Sequence, residues 1–416
     1  MNVNQSYPPF FGGISQEPSF EMKPGCLRDI VNAYPDITYG LRKRPGLRFQ
    51  FTLDDSANLA SCHWFTITQD NNFPVLGAII PNNSIRLWNL TSSQELTYSG
   101  TPDYSYIQLN NVAGSTLNFN SYKTLVIQNT VLVLNKNVQV NQDTNLTTGT
   151  LTGTVTTYAD LAALSPSNGD IYKITNTPNA TEDDYYVKYV NSAWEETVAP
   201  GISKGIDSNT MPHVLSIDYA NNTFQFLVGD NEERKVGDLV SNPDPSFVGA
   251  KINNLFFYLN RVGYLSKDNC FLSQPLRPDN TLQTAVRKTN HYNKSALVQS
   301  PADPVDVNAA SLRPVTLSSV QPTYQGLILF SDREQFLLFS EQGAITPQTS
   351  IIKSIATYEL NDFIDAVEMG DEYFFVSKTQ RNTRVFKMVS RGLEQGPVLT
   401  DVGKIIADYI PNNIFK

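Results

Sequence analysis

The stretch from Pro245 to Ser273 constrains the fold of this chain more than any other. Its three short apolar segments, with polar breaks between them, are Leu255–Leu259, Val262–Leu265 and Phe271–Leu272. Aromatic and branched side chains in segments this short favour strands, and polar breaks favour tight turns. We therefore predict a β-meander whose strands are buried on both faces, within a mainly β protein.

Composition sets the broad class. The chain of 416 residues, 40% apolar and 17% charged, is long enough for two or three well-packed domains. Cys26, Cys62 and Cys270 form no paired framework, so free and mostly buried thiols are expected. The N-terminus lacks the basic start and apolar run of a signal peptide, and the apolar runs are short. We expect no membrane span and synthesis in a cytoplasm-like compartment.

The net charge of −9 is concentrated in one segment. Residues 1–50 carry +2, residues 51–140 carry −2, residues 141–244 carry −10 and residues 245–416 carry +1. A localised field indicates a surface with a role, although an ordinary solvated insertion would also produce it. We predict four regions with these bounds: a docking segment, a β platform or first propeller strands, an acidic inserted β domain, and propeller-like blades.

The first fifty residues are rich in Pro and Gly breakers, and only Leu27–Ala33 could hold a short helix or strand. A segment with so little structure of its own stays ordered by lying against another domain or subunit. Arg42, Lys43 and Arg44, with Arg48 nearby, form a basic cluster without evident aromatic stacking partners. Contact with the rim of an acidic partner is therefore a better interpretation than phosphate binding.

Alternating apolar runs and polar turns predict strands in the next two regions. The candidates before residue 141 are Val75–Ile80, Ile85–Leu90, Tyr104–Leu109 and Thr130–Leu134. Residues 140–153 have the composition of a linker. The acidic segment is then expected to hold one or two helical turns at Tyr158–Leu164 and strands at Ile171–Ile174, Tyr185–Val190 and Trp194–Thr197. Its acidic groups are expected at the turns between these elements.

The C-terminal region contains two further hairpins, at residues 324–339 and 373–389. Hairpins that recur without helices favour β-propeller blades over a sandwich. The chain stops directly after an apolar segment, so we predict an incomplete β-propeller-like array that needs strands from elsewhere to close.

Catalytic and metal-binding patterns are absent from the sequence. His63, His213 and His291 lie far apart, and neither H-E-x-x-H nor G-x-S-x-G occurs. The Asp303/Asp306 pair could serve a glycosidase, but forty acidic residues produce such pairs by chance. We predict no enzyme activity, no cofactor and no metal site.

Ordered sequence blocks, spread from one end of the chain to the other, carry a family resemblance. They are Gly12–Gln16 with Pro18, Val31–Tyr34, Gly40–Pro45, Tyr185–Val187, Trp194–Thr197, Thr210–His213, Pro245–Ser266, Asp303–Val307, Leu327–Leu338 and Tyr409–Phe415. Together they resemble tail tubular protein B, the nozzle protein family of short-tailed, podovirus-type bacteriophages. Family members continue well past the last block, so the chain corresponds to about the N-terminal half of a typical member.

The resemblance implies a structural protein of the virion tail, made in the cytoplasm of the infected bacterium. It implies a six-fold ring below a ring-shaped adaptor similar to tail tubular protein A. Such a ring extends the DNA channel, retains the packaged genome, conducts it during ejection and helps to anchor tail fibres. A heterologous contact that closes by rotation produces a ring of this kind.

Two sets of candidate site residues follow. Docking on the adaptor or on a neighbouring subunit is assigned to Gly12, Gly13, Ile14, Ser15, Gln16, Arg42, Lys43 and Arg44. The channel wall, where carboxylates would repel the double-stranded DNA that passes, is assigned to Glu182, Asp183, Asp184, Glu195, Glu196, Asp230, Glu232 and Glu233.

Two alternatives from other classes stay open. A carbohydrate-binding or carbohydrate-cleaving propeller, such as a receptor-binding tail protein, predicts an exposed aromatic pocket with two carboxylates facing each other. Trp64, Trp88 and Trp194 are instead scattered along the sequence. A cellular protein-interaction propeller predicts clean blade repeats, which the sequence does not display.

Overall fold

The computed structural model describes residues 9–53, 59–68, 73–127, 130–176, 181–229, 231–275, 300–361, 364–378, 383–391 and 396–410. Strands predominate in the described residues and helices are few and short, which confirms the mainly β prediction. It divides into two compact units, one formed by residues 1–53 with 358–416 and the other by residues 54–357.

The strands are short. The first fifteen are β1 (Ala33–Asp36), β2 (Gly40–Lys43), β3 (His63–Ile67), β4 (Val75–Ile79), β5 (Ile85–Asn89), β6 (Gln94–Glu95), β7 (Thr97–Tyr98), β8 (Tyr122–Ile127), β9 (Thr130–Asn135), β10 (Leu151–Val155), β11 (Ile171–Ile174), β12 (Tyr185–Val190), β13 (Ala193–Thr197), β14 (His213–Asp218) and β15 (Thr223–Leu227). The other twelve are β16 (Asn254–Tyr258), β17 (Arg261–Ser266), β18 (Asn269–Leu272), β19 (Val305–Asn308), β20 (Leu317–Thr323), β21 (Gly326–Ser331), β22 (Gln335–Phe339), β23 (Ile351–Ala356), β24 (Val367–Met369), β25 (Glu372–Lys378), β26 (Thr383–Val389) and β27 (Val398–Asp401).

Among the described residues, helical structure is confined to segments of one or two turns. The α-helix α1 spans Ser105–Gln108, and 3₁₀ turns span Leu59–Ser61, Phe119–Ser121, Tyr158–Ala163, Thr181–Asp183, Ser208–Thr210 and Lys404–Tyr409. The strand predicted at Tyr104–Leu109 is therefore wrong. The Asp103 carboxylate accepts the Ser105 amide at 2.9 Å and starts the turn, and the adjacent Tyr106 and Ile107 are both buried, which a strand with one solvent face does not allow.

Four sheets are antiparallel meanders of four strands each, in sequential order: β3–β6, β16–β19, β20–β23 and β24–β27. A fifth sheet has the order β7-β15-β14-β9-β8, so two strands from the second half of the predicted acidic segment pair with strands that precede it. Recurring hairpins are thus present at the predicted places, 326–339 and 372–389. The β-rich character is confirmed, and closure into a propeller stays a prediction.

Four of the five sheets of residues 54–357, all except β10–β13, pack face to face in chain order. One apolar core joins β3–β5 to the β8/β9/β14/β15 sheet, a second joins that sheet to β16–β18, and a third joins β16–β18 to β20–β22. On β16, Leu255 lies in the second core and Phe256 in the third. The meander predicted at Pro245–Ser273 is therefore buried on both faces, as its continuous apolar runs indicate.

A glycine beneath an aromatic ring recurs in two of these meanders. Phe65 pairs with Gly77 across β3 and β4, and Phe256 pairs with Gly263 across β16 and β17. A Cβ built on Gly77 or Gly263 would lie 2.2 or 2.1 Å from the facing ring. Each ring covers the glycine backbone directly, which requires a residue without a side chain.

The compact sheet β10-β11-β12-β13 lies between β9 and β14 in the sequence. Its strands β11, β12 and β13 and its 3₁₀ turn at Tyr158–Ala163 match the predictions. The predicted linker at residues 140–153 instead includes the start of β10, which pairs in parallel with β11. This stretch is rich in Asn, Thr and Gly, as linkers are, so its composition did not indicate a strand. The side chains of β10 are only partly buried, and the strand therefore lacks a strong apolar pattern.

The N-terminal segment is also more regular than predicted. Strands β1 and β2 form a hairpin, with Asp36 opposite Gly40 at its tip. At residues 27–33 the structure has only an isolated bridge from Leu27 to Ile14 before β1 begins. Asp36 organises the turn because its Oδ1 accepts the Thr38 and Tyr39 amides, and Gly40 supplies the positive φ of 76° that follows.

Candidate functional site

The predicted docking residues Gly12–Gln16 form a strand-like segment that backbone hydrogen bonds hold in place. The Gly12 amide donates to Gly25 O, the Ser15 amide to Leu27 O and the Leu27 amide to Gly13 O. Ser15 is buried, whereas Gly12 and Gln16 are exposed. Gly13 has φ of +80° with nothing within 4 Å of its missing Cβ, so backbone conformation alone favours glycine there. The segment is held in place and has an exposed side.

The basic docking residues lie on and beside β2. Arg42 bonds Asp36 at 3.3 Å and lies 4.8 Å from the centre of the Tyr39 ring. The expectation that the cluster lacks an aromatic partner is therefore wrong, because the hairpin turn folds Tyr39 back beside Arg42. Lys43 and Arg44 are exposed.

The predicted channel carboxylates do not form one surface. Glu182 and Asp183 are exposed on a 3₁₀ turn, while the neighbouring Asp184 is buried and bonds Lys173 at 2.6 Å. Glu195 and Glu196 lie within β13, not at a turn as predicted, because Asn191 and Ser192 already make the turn with positive φ. Adjacent strand residues point to opposite faces, so Glu195 and Glu196 cannot line the same wall.

The last three of these carboxylates follow β15. Asp230 lies outside the described residues. Glu232 bonds Lys235 and Glu233 bonds Lys204, both at 3.2 Å, so their charges are largely compensated. They border a surface pocket of about 260 Å³, which Asp143 and Asp207 also line. Those two aspartates accept the amides of Asn145 and Asn209, so they act as local turn caps.

A buried arginine that no sequence pattern indicated, Arg234, organises the loop at residues 238–244. The Arg234 guanidinium is fully buried, bonds Asp244 at 2.6 Å and donates to the carbonyl oxygens of Asn242 and Asp238. The sequence signal was an Arg within a Glu-Glu-Arg-Lys run, which resembles an ordinary solvated charge cluster. Its structural role depends on the Asp238–Asp244 loop folding around it.

The residues considered for catalysis have structural roles. His213 is stacked on Tyr106 with ring centres 4.1 Å apart, and burial lowers its pKa. Asp303 accepts the Ser300 amide, and Asp306 accepts the amide and hydroxyl of Ser246. His291 lies outside the described residues. Within the described ranges, His, Cys, Asp and Glu side chains do not gather in groups that could hold a metal ion.

The cysteines match the prediction of free thiols, with Cys62 and Cys270 buried and Cys26 half-buried. Burial raises the pKa of the Cys62 and Cys270 thiols. None of the helices that the structure describes has the length and apolar character needed to cross a membrane.

Two of the three tryptophans are closer in space than in sequence. The rings of Trp64 and Trp88 lie 6.0 Å apart because β3 and β5 flank β4. Trp64 is 39% exposed and Trp88 is buried beneath Arg86. Two of the three Arg86 guanidinium nitrogens, Nε and Nη2, donate to the adjacent Glu95 carboxylate. The pair differs from the sugar pocket predicted by the receptor-binding alternative, because its carboxylate is already held by an arginine.

Comparison with known proteins decides the family. The family model described as bacteriophage nozzle protein matches residues 1–153 and 145–416. The chain belongs to the bacteriophage nozzle protein family. The resemblance inferred from the sequence blocks is confirmed, and the family is one of structural tail proteins, not of enzymes.

The chain is similar to the tail tubular protein gp12 of Escherichia phage T7. The chain is 24% identical to it over 513 aligned residues, which cover 100% of this chain and 63% of the relative. Among solved structures, Kluyveromyces lactis Hsv2 aligns over 80% of this chain and 95% of its own, with 12% identity and a TM-score of 0.26. The computationally designed protein Ika8 aligns over 74% and 79%, with 10% identity and a TM-score of 0.22. The nozzle protein assignment comes from the family match alone.

Proposed function

We propose that this chain is a subunit of a tail nozzle, a six-fold ring below the adaptor that extends the DNA channel. The ring retains the packaged genome, conducts it during ejection and helps to anchor tail fibres. The nozzle family match over the whole chain carries this proposal. The protein is made in the cytoplasm of the infected bacterium and joins the virion tail.

The charge distribution supports the role of a conduit. Duplex DNA carries about one negative charge per 1.7 Å, so a wall rich in Lys or Arg would bind it in a salt-dependent manner. Carboxylates repel DNA over a screening length of about 8 Å at physiological salt. Since residues 141–244 carry −10 and the rest of the chain carries +1, we assign part of the wall or tip to this segment. The exposed carboxylates Glu182, Asp183 and Glu195 are its best candidates.

Replacing Glu182, Asp183 and Glu195 together by lysine tests this assignment. We expect tails that assemble normally but eject DNA several-fold more slowly at low salt, because each subunit now presents cations to the phosphates. Raising the salt concentration should restore the rate, since cation–phosphate binding weakens steeply with salt. The rate is measured by DNA release from purified virions triggered in vitro.

The matched control replaces three exposed carboxylates outside this segment, Glu341, Glu359 and Glu368, by lysine. It makes the same charge change and should leave the ejection rate and its salt dependence unchanged. Equal slowing by both variants, or by neither, would contradict a channel role for residues 141–244.

For the N-terminal segment we propose docking on the adaptor ring or on a neighbouring subunit, through Gly12–Gln16 and Arg42–Arg44. Gly12 and Gln16 are exposed on a segment that hydrogen bonds to Gly25 and Leu27 hold in place. Arg42, Lys43 and Arg44 are exposed on and directly after β2. Solvent exposure of both stretches in a map of the assembled tail would contradict this docking.

A further inference from the structure

Residues 31–49, the N-terminal arm, expose an unusual amount of apolar surface. The arm contains the β1–β2 hairpin and the stretch that follows it, and none of its residues is buried. Its seven exposed large apolar side chains are Val31, Tyr34, Ile37, Tyr39, Leu41, Leu47 and Phe49, with Ile37 at 91% and Leu47 at 93% exposure. Scattered exposed apolar residues are normal, but a concentration of this kind marks an interaction surface.

The tip of the arm is fixed in one conformation. Asp36 Oδ1 accepts the Thr38 amide at 2.8 Å and the Tyr39 amide at 3.0 Å, and Arg42 bonds the other carboxylate oxygen. The hydrogen bond from the Tyr39 amide, with those from Thr38 and Arg42, lowers the pKa of Asp36, because these donors favour the charged carboxylate. The turn therefore keeps Ile37 exposed to solvent in one position. Binding of a partner to Ile37 then costs little free energy for ordering the loop.

The arm needs a partner to be stable. A two-stranded hairpin is marginal in water unless a further strand or surface covers its apolar side. The apolar side chains of β1 and β2, Tyr34 and Leu41, are 37% and 43% exposed. The arm therefore has the features of a binding element, namely a preformed turn, apolar anchors and two strand edges.

Charge identifies the kind of partner. The arm carries +3, from Arg42, Lys43, Arg44 and Arg48 against Asp36, and the rest of the chain carries −12, for a total of −9. A second copy of this chain therefore offers the complementary charge. In a closed heterologous ring each copy contributes one arm and one receiving surface, so that every arm is covered.

We infer that the N-terminal arm of each copy binds an acidic face of the adjacent copy, with Ile37 and Tyr39 as the anchoring side chains. This inference rests on the proposed nozzle ring and names the contact that closes it. The basic residues Lys43 and Arg44 then meet the partner's carboxylates at the rim, where they favour association and exclude basic partners.

Site-specific photo-crosslinking tests the inference in assembled tails. A benzophenone amino acid replaces Ile37 in the full chain, phage are grown with this variant, and the irradiated tails are separated by mass and identified by mass spectrometry. We expect an adduct of two copies of this chain. An adduct formed only with another tail protein, or no adduct, would overturn the inference and leave the nozzle role intact. Absence of the chain from tails would instead refute the nozzle role.

The matched control uses a second turn of the same kind. Asp238 Oδ1 accepts the Val240 and Ser241 amides, and this turn exposes Leu239 and Val240 as the arm tip exposes Ile37 and Tyr39. The same label at Val240 should give no two-copy adduct.

The double variant Ile37→Asp/Tyr39→Asp should reduce crosslinked subunit pairs at least tenfold, whereas Leu239→Asp/Val240→Asp should not. Unchanged circular dichroism confirms folding of both variants. Equal effects of the two double variants would overturn the assignment of the tip as anchor.

Discussion

Replacing Gly326 by alanine is expected to destabilise residues 54–357 by about 3 kcal/mol or more, the upper end of the cost of overpacking. Gly326 begins β21 after the turn in which Thr323 Oγ1 accepts the Gln325 and Gly326 amides. A Cβ at this position would lie 2.1 Å from the Leu338 carbonyl oxygen on β22. That contact is with backbone, so no side-chain rotation relieves it. The midpoint of urea unfolding, followed by tryptophan fluorescence, measures the loss.

Gly46→Ala is the control, because a Cβ there meets nothing within 4 Å. Its unfolding midpoint should equal that of the unmodified chain. If Gly326→Ala left the midpoint unchanged as well, the close approach of β21 and β22 described above would be wrong.

Removing the buried cation at Arg234 should have a comparable effect. Arg234→Ala removes the cation that faces Asp244, which keeps the Gln142 side-chain amide as a donor, and deprives the Asn242 and Asp238 carbonyls of a donor. Breaking a buried ion pair by deleting one member costs about 3–5 kcal/mol, because the remaining charge is left uncompensated. We expect a lower unfolding midpoint and faster proteolytic cleavage at residues 231–244, where the loop surrounds the guanidinium.

The adjacent Lys235 provides the comparison. It is 59% exposed and bonds Glu232 on the surface, so Lys235→Ala should cost no more than about 1 kcal/mol. Similar losses for the two variants would show that burial of Arg234 does not determine its contribution.

Strands with strong local signals were predictable from the sequence. The runs around Leu255–Leu272 and Gln335–Phe339 combine aromatic and branched residues with clear breaks, and both are strands. Tyr104–Leu109 has the same apparent signal but forms a helical turn, because the Asp103 carboxylate accepts the Ser105 amide at its start and both Tyr106 and Ile107 are buried in the protein interior. Tertiary packing overrode local propensity there.

The candidate site was less predictable, because charge counts do not reveal pairing. The excess of carboxylates in residues 141–244 is a property of the sequence, but Asp184 is buried against Lys173, and Glu232 and Glu233 have lysine partners. Likewise, the Trp64–Trp88 contact depends on strand register, which the sequence left open. The nozzle family itself was recognisable, since many ordered blocks carry that signal.

Electron cryomicroscopy of the assembled tail tests the central claim most directly. The account predicts a closed six-fold ring of this chain in line with the adaptor, with carboxylates of residues 141–244 facing the bore and the N-terminal arm covered by the adjacent copy. A ring with a basic bore and that segment turned outward, or tails that lack such a ring, would contradict it.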